Sequence, residues 1–242
     1  MKTILTLIAL CFCCATTQAQ NWKRLNRKYN KAVDVTATKS DSARLSNKLD
    51  PINTAEEWVL VACWKGYLDP YGSKGDTVKL ASEEYVTWVF QKSQLQSRAK
   101  ELDLQKMDNV DLSIRLDQLL GLAPSPTDTT RQFVEMWVKP SDLFRPCPAP
   151  AVDDTSCDLY LPSTESKVKV GSMTYRQWFV NNIYEAYYKE DSQPWTRLGY
   201  TWDWNRKNKE HIGLSEYIIQ PGASVIIRDI APTVDWVRKN IK

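Results

Sequence analysis

The chain has 242 residues, of which 43% are hydrophobic and 25% are charged, and its formal net charge is +3. This length fits one ordinary domain or two small halves that share a core, and so small a net charge indicates no particular partner. The single histidine excludes a metal site built from several histidines, and we expect neither a metal nor a cofactor.

The first residues have the three-part pattern of a secretory signal peptide. Lys2 precedes an apolar run over residues 4–14, and the small residues Thr17 and Ala19 precede the expected cut. The apolar run is shorter than the roughly 20 residues that span a bilayer, and no later run is both long and uncharged. We therefore expect a signal peptide over residues 1–19, export to the periplasm or the extracellular space, and no stable membrane insertion.

A basic segment follows at residues 20–50, where eight lysines and arginines stand against three aspartates. It contains no nucleic-acid-binding motif and no strong apolar periodicity, so we expect a solvated or weakly helical arm and no nucleic-acid partner. The remaining residues, 51–242, are predicted to form a single domain, which could divide into halves at 51–123 and 130–242. A proline-rich connection at residues 124–127 would separate the halves.

Several segments have the pattern of β-strands. Residues 58–64 and 133–138 are apolar runs rich in strand-forming residues. Residues 110–116 alternate apolar and polar side chains, although their leucines also fit helical spacing. Residues 214–219 and 224–230 flank Pro221 and Gly222, which predicts a β-hairpin.

Two segments predict amphipathic helices with nearly the same entry sequence. VKLASEEYVTWVF at residues 78–90 matches VKVGSMTYRQWFV at residues 168–180. In the second copy, Thr174 and Gln177 offer a capping box, and Met173 can pack on Trp178. Either a duplicated strand-turn-helix unit or convergence explains the match. The fold class expected is α+β, with a mostly antiparallel sheet and two main amphipathic helices.

Three cysteines remain after the signal peptide. Cys147 and Cys157 enclose a short segment rich in proline and turn-forming residues, and in an oxidising compartment they could form a disulfide or remain free. Cys63 lies within an apolar run, where we expect a small buried core residue.

No strong catalytic motif is present, but residues 194–222 combine aromatic rings with charged groups and the only imidazole. One interpretation is a cleft, with ligand-binding side chains at Trp195, Arg197, Tyr200, Trp202 and Trp204, and catalytic groups at Asp203, His211 and Glu216. The other interpretation is that the rings fill the core and Asp203 accepts backbone hydrogen bonds.

Glu216 opens the sequence EYIIQPGASVIIRDI, which resembles the closing hairpin of ADP-ribosyltransferases. In that family, the glutamate orients the nicotinamide ribose, so the resemblance implies a transferase role for Glu216. The arginine strand and the Ser-Thr-Ser strand of the family have no counterpart that can be placed in this chain.

Two functional hypotheses follow. The first is an exported binding or interaction protein whose ligand is a glycan, a nucleotide or a protein. The second is a secreted hydrolase or transferase, glycosidase-like or ADP-ribosyltransferase-like, that uses Asp203, His211 and Glu216 as acid, base or orienting groups.

We predict that the exported protein begins at Gln20 and carries no lipid, because Thr17 and Ala19 suit a simple signal-peptide cut. N-terminal sequencing or the intact mass of the exported protein measures this directly. A start at Cys11, Cys13 or Cys14 with added acyl mass would contradict the prediction.

Overall fold

The computed structural model describes residues 21–80, 86–125 and 130–241. The predicted signal peptide lies outside these residues, as do the middle of the first predicted helix and part of the proline-rich connection. The described chain has the expected α+β fold with a mostly antiparallel sheet.

Five α-helices and eleven β-strands lie in the described residues. The helices are α1 (21–38), α2 (Lys92–Glu101), α3 (Asn109–Leu119), α4 (Tyr175–Tyr187) and α5 (Thr233–Asn240). The strands are β1 (Val59–Lys65), β2 (Thr77–Lys79), β3 (Thr87–Gln91), β4 (Gln132–Val138), β5 (Leu143–Phe144), β6 (Lys169–Val170), β7 (Met173–Thr174), β8 (Tyr200–Trp202), β9 (Ile212–Ser215), β10 (Tyr217–Ile219) and β11 (Ser224–Pro232).

Seven strands form the main sheet in the order β2-β11-β4-β1-β3-β10-β5, and the pairs β6–β7 and β8–β9 form two small sheets. The predicted strands at residues 58–64 and 133–138 are confirmed as β1 and β4, which pair along their full lengths. Alternate side chains of β1 enter different clusters: Val61 packs on one face of the sheet, whereas Ala62 and Trp64 pack on the other with α2, α3 and α5. Both faces of the central strands are therefore covered.

Helix α4 confirms the predicted cap and apolar face. The Thr174 hydroxyl accepts from the Gln177 backbone N–H, and the Gln177 side chain accepts from the Thr174 backbone N–H. The buried face of the helix packs Tyr175, Trp178 and Phe179 in one cluster with Phe144 and Ile218 of the main sheet. This contact fixes the helix beside the sheet edge.

Two predicted elements are wrong in type. The helix predicted over residues 78–90 is wrong in the described part of that range, because residues 77–79 and 87–91 are strands and Trp88 pairs with Ile218 of β10. The matching residues of α4 are helical, so the two copies have different structures. Residues 110–116 form helix rather than strand, because the Asp108 side chain accepts from the backbone N–H groups of Val110 and Asp111 and caps α3.

The predicted hairpin around Pro221 and Gly222 is also wrong. Strand β10 pairs with β3 and β5, whereas β11 pairs with β4 and β2, so the two strands are not neighbours. The turn instead binds a third segment, because Gly222 N–H donates to the Leu80 carbonyl at 2.7 Å and Leu80 N–H donates to the Ala223 carbonyl at 3.0 Å. Distant pairing has overridden a local turn signal.

The basic N-terminal segment, which we expect to be a solvated or weakly helical arm, is helical over residues 21–38 and packs on the rest of the chain. Helix α1 buries Tyr29, Ala32 and Val33, and the Tyr29 ring meets the Trp204 ring edge-on at 6.2 Å. Further along, the Arg44 guanidinium is buried and donates to the Thr196 carbonyl at 3.2 Å. This segment therefore supplies one side of a core cluster that residues 198–204 supply from the other.

Cys147 and Cys157 form a disulfide, which is one of the two alternatives that the sequence left open. Cys63 is free and buried, and its burial was expected. Beside the disulfide, Arg145 is fully buried. Its guanidinium donates to four backbone carbonyls, those of Asp50, Ala151, Val152 and Asp154, at 2.9–3.2 Å. The loop that the disulfide closes is thus held against the Arg145 guanidinium by these hydrogen bonds.

We predict that Trp178→Ala lowers the free energy of unfolding by roughly 3–5 kcal/mol, because the ring is 5% exposed and packs on other aromatic rings. Urea denaturation measures the change. The matched control is Val180→Ala in the same helix, which is 52% exposed and should change stability by no more than about 0.5 kcal/mol. Equal small effects in both variants would contradict the packing described for α4.

Candidate ligand-binding cavity

A cavity of about 820 Å³ lies where the main sheet, helix α4 and the small β8–β9 sheet meet. Its size is within the range of small-molecule sites. Its aromatic wall consists of Trp64, Trp88, Phe90, Trp195 and Trp202, and the other lining residues are Lys65, Val89, Leu120, Gly121, Leu122, Asn182, Glu185, Ala186, Lys189, Glu190, Asp191, Gln193, Pro194, Thr201 and Glu216.

Glu216 reaches this cavity because it connects two sheets. Ser215 pairs with Tyr200 in the small sheet, and Tyr217 pairs with Val89 in the main sheet. The Glu216 N–H donates to the Gly199 carbonyl at 2.9 Å, which holds the backbone at the junction. Gly199 has a φ of 73°, and a Cβ there would lie 2.7 Å from a side-chain carbon of buried Arg145, so only glycine fits.

Glu216 is half-buried, and one oxygen of its carboxyl is a buried atom without a hydrogen-bond partner. Its Oε2 atom is shielded from solvent and accepts no hydrogen bond from the described residues. Desolvation by burial disfavours the charged form and raises the pKa of Glu216 to about 8. Buried polar atoms without partners are uncommon in proteins, and such an atom in a cavity indicates a position where a ligand or water can bind.

A second unsatisfied group lies in the same cavity. The indole Nε1–H of Trp195 is buried and has no acceptor among the described residues. The ring itself is held firmly, since it contacts Phe179 at 5.1 Å and meets Trp88 nearly at right angles with a centroid separation of 6.3 Å. Two residues that line the cavity, Glu216 and Trp195, therefore each have one buried polar atom without a hydrogen-bond partner among the described residues.

Charged side chains surround the opening. The exposed lining residues Glu185, Glu190 and Asp191, which we call the acidic rim, follow one another along the end of α4 and the next loop. Lys65 and Lys189 also line the cavity, and Lys189 pairs with Glu185 at 2.6 Å. With Glu216 ionised, the described lining residues have more negative than positive groups.

Of the three candidate catalytic groups, only Glu216 lines the cavity. Asp203 is fully buried, and its carboxylate forms a two-pronged ion pair with Arg115 at 3.0 and 2.6 Å. Its oxygens also accept from the Asn205 backbone and from the Asn208 side chain, both at 3.0 Å. Asp203 therefore has the hydrogen bonds of a structural group in this arrangement.

His211 and Arg197 are also directed elsewhere. The His211 ring stacks on Trp202 at 4.7 Å, its Nδ1 atom lies 2.7 Å from the Asp203 carbonyl oxygen, and it lines a separate, smaller cavity. Arg197 forms an ion pair with Asp41 at 2.7 Å and lies over the Tyr187 ring. The structure thus does not bring Asp203, His211 and Glu216 together.

Of the four candidate aromatic residues, two line the cavity and two are core residues. Trp195 and Trp202 line the cavity with Glu216. Tyr200 and Trp204 are core residues, because the Tyr200 hydroxyl donates to the Arg44 carbonyl at 2.8 Å and the Trp204 indole donates to the Leu122 carbonyl at 3.1 Å. The cleft interpretation of this segment therefore applies to Trp195 and Trp202, and the core interpretation applies to Tyr200 and Trp204.

Sequence reasoning missed Trp64, Trp88 and the acidic rim. Trp88 was assigned to a helix, although the segment TWVFQ is rich in β-branched and aromatic residues. An alternating pattern would have placed Trp88 and Val89 on opposite faces, as they are in β3. The acidic rim has no sequence signal of its own, because its neighbours across the cavity are distant in the chain.

Comparisons of this chain with protein-family models, curated proteins and solved structures found no match. In the described part of the chain, no helix combines the length and apolar character needed to cross a membrane. The same residues contain no group of three or more histidine, cysteine, aspartate or glutamate side chains arranged to hold a metal ion.

We predict that Glu216→Gln alters the pH dependence of stability. The pKa of Glu216 is about 8 in the folded protein against an ordinary 4.5, so the folded state binds this proton more tightly. The contribution of Glu216 to the free energy of unfolding of the parent protein should fall by roughly 4 kcal/mol as pH rises from 4.5 to 8, and this contribution should be absent from the variant.

Urea denaturation across this pH range measures the effect. Glu210→Gln is the matched control, because Glu210 is exposed and lies outside the cavity lining, so its profile should follow that of the parent. Parallel profiles for the parent and Glu216→Gln would show that the carboxyl is well solvated.

Proposed function

We propose that this protein is exported and binds a small organic molecule in the cavity that Glu216 lines. The observation that carries the proposal is that Glu216, whose buried Oε2 atom has no hydrogen-bond partner among the described residues, lines an aromatic-walled cavity of ligand size. An unsatisfied buried polar atom costs about 1–3 kcal/mol, so a ligand that donates a hydrogen bond to it recovers that free energy.

The second unsatisfied group strengthens the proposal. A ligand that also offers an acceptor can bind the Trp195 Nε1–H, and its apolar part can contact the ring walls. Directional polar contacts at a few points within an apolar wall are typical of small-molecule sites. Rigid aromatic walls also reduce the entropy lost on binding, because the rings are already packed.

Binding is favoured over catalysis by the positions of the other charged groups. Hydrolysis or group transfer by Asp203, His211 and Glu216 requires these groups near one substrate, and the first two have partners outside the cavity. The transferase resemblance depended on a hairpin, and β10 and β11 are not paired. Neither observation supports the enzyme hypothesis.

Two features support export. The first residues have the signal-peptide pattern, and the Cys147–Cys157 disulfide is of a kind that persists in oxidising compartments.

The acidic rim also narrows the ligand classes, because a polyanionic nucleotide would meet like charges at the opening.

The test uses N-phenyl-1-naphthylamine, a neutral apolar fluorophore, and variants that obstruct the opening. Asn182 lines the cavity and its neighbour Asn181 does not. We expect saturable one-to-one binding to the parent protein, at least ten-fold weaker binding to Asn182→Trp, and unchanged binding to Asn181→Trp. Gln193→Trp is a second obstructing variant, and thermal melts verify that all three remain folded.

The absence of saturable binding, or equal affinities for the parent and both obstructing variants, would overturn the proposal that this cavity is a binding site.

A further inference from the structure

The polar groups of the cavity distinguish between ligands of different charge. The described lining contains four carboxyl groups, Glu216 and the three of the acidic rim, but only two ammonium groups. Coulombic interactions are stronger in a partly enclosed, low-dielectric space than in water. This distribution disfavours an anion and favours a cation.

The aromatic wall has the same preference. Indole faces attract cations, and tryptophan is the best of the aromatic side chains in this respect. Four tryptophans, Trp64, Trp88, Trp195 and Trp202, line the cavity with Glu216. Aromatic rings beside a carboxylate are a suitable combination for an organic ammonium group, whose carbon-bound surface contacts the rings while its charge approaches the carboxylate.

We propose that the ligand of this cavity is an organic cation with at least one N–H group, which donates to Glu216 while the apolar part lies against the tryptophans. This inference rests on the proposed function, since it names the chemical class that the same cavity binds. The N–H group would supply the hydrogen bond that Oε2 lacks. Burial disfavours the ionised form of this carboxyl. The positive charge of a bound cation stabilises that form.

Proton release should accompany binding. Burial raises the pKa of Glu216 to about 8, so the carboxyl is largely protonated at neutral pH in the free protein. An adjacent ammonium group favours the carboxylate and lowers that pKa. Binding of a permanently protonated amine should therefore strengthen as pH rises from 6 to 8.5.

Other charged groups also border the cavity or interact with Glu216. They are Lys65 from β1, Glu185 from α4, Lys189, Glu190 and Asp191 from the following loop, and Tyr200 from β8, whose pKa is raised by burial and also by the charge of Glu216. All of these remain in Glu216→Gln, so any pH dependence that they cause persists in that variant. The difference between parent and variant isolates the contribution of Glu216.

The experiment compares three ligands that share an indole ring and a two-carbon chain. Tryptamine is cationic, tryptophol is neutral and indole-3-propionate is anionic. Calorimetric titration of the full protein at pH 8 should give tryptamine at least ten-fold higher affinity than tryptophol, with indole-3-propionate weakest. Glu216→Gln should reduce the difference between tryptamine and tryptophol to two-fold or less, and Glu210→Gln should retain it.

The affinity of the parent for tryptamine should rise at least ten-fold between pH 6 and pH 8.5, and that of Glu216→Gln should rise by less than three-fold. Equal affinities for tryptamine and tryptophol, or no tryptamine binding by a protein that binds the neutral fluorophore, would overturn the cation inference and leave the binding function in place. Failure of the fluorophore as well would remove the proposed function itself.

Discussion

One backbone junction determines the arrangement of this protein. Between Ser215 and Tyr217 the chain leaves the small β8–β9 sheet and enters the main sheet, with Glu216 as the only residue between the two pairings. Residues of both sheets and of helix α4 line the cavity together with Glu216. The junction therefore places this carboxyl where the two sheets meet.

The parts of the fold that were predictable depend on local chemistry. Continuous apolar runs predicted β1 and β4, and the sequence around Thr174 predicted the capped helix α4, because both signals lie within a few residues. The sequence over residues 78–90 predicts a helix instead of β3 because two of its three large rings, Tyr85 and Trp88, have helical spacing. The pairing partner of β3, strand β10, is more than 120 residues away, and nothing local encodes that contact.

Residues 195–204 illustrate why the site could be predicted only in part. The concentration of rings there was visible, but its division between cavity and core depends on α1, whose Tyr29 packs on Trp204, and on Arg115, which pairs with Asp203. Both partners lie more than 80 residues away in the sequence. Glu216 was selected for its position before a Pro-Gly turn, a reason that the strand pairing does not support.

The contacts of Arg145 have a consequence for sequence variation. Four of its hydrogen-bond acceptors are main-chain carbonyls, and three of these belong to Ala151, Val152 and Asp154 in the loop that the disulfide closes. A carbonyl oxygen is present whatever the side chain. Evolution can therefore change the residues of this loop without losing their contacts to the guanidinium, while Arg145 itself has no equivalent replacement.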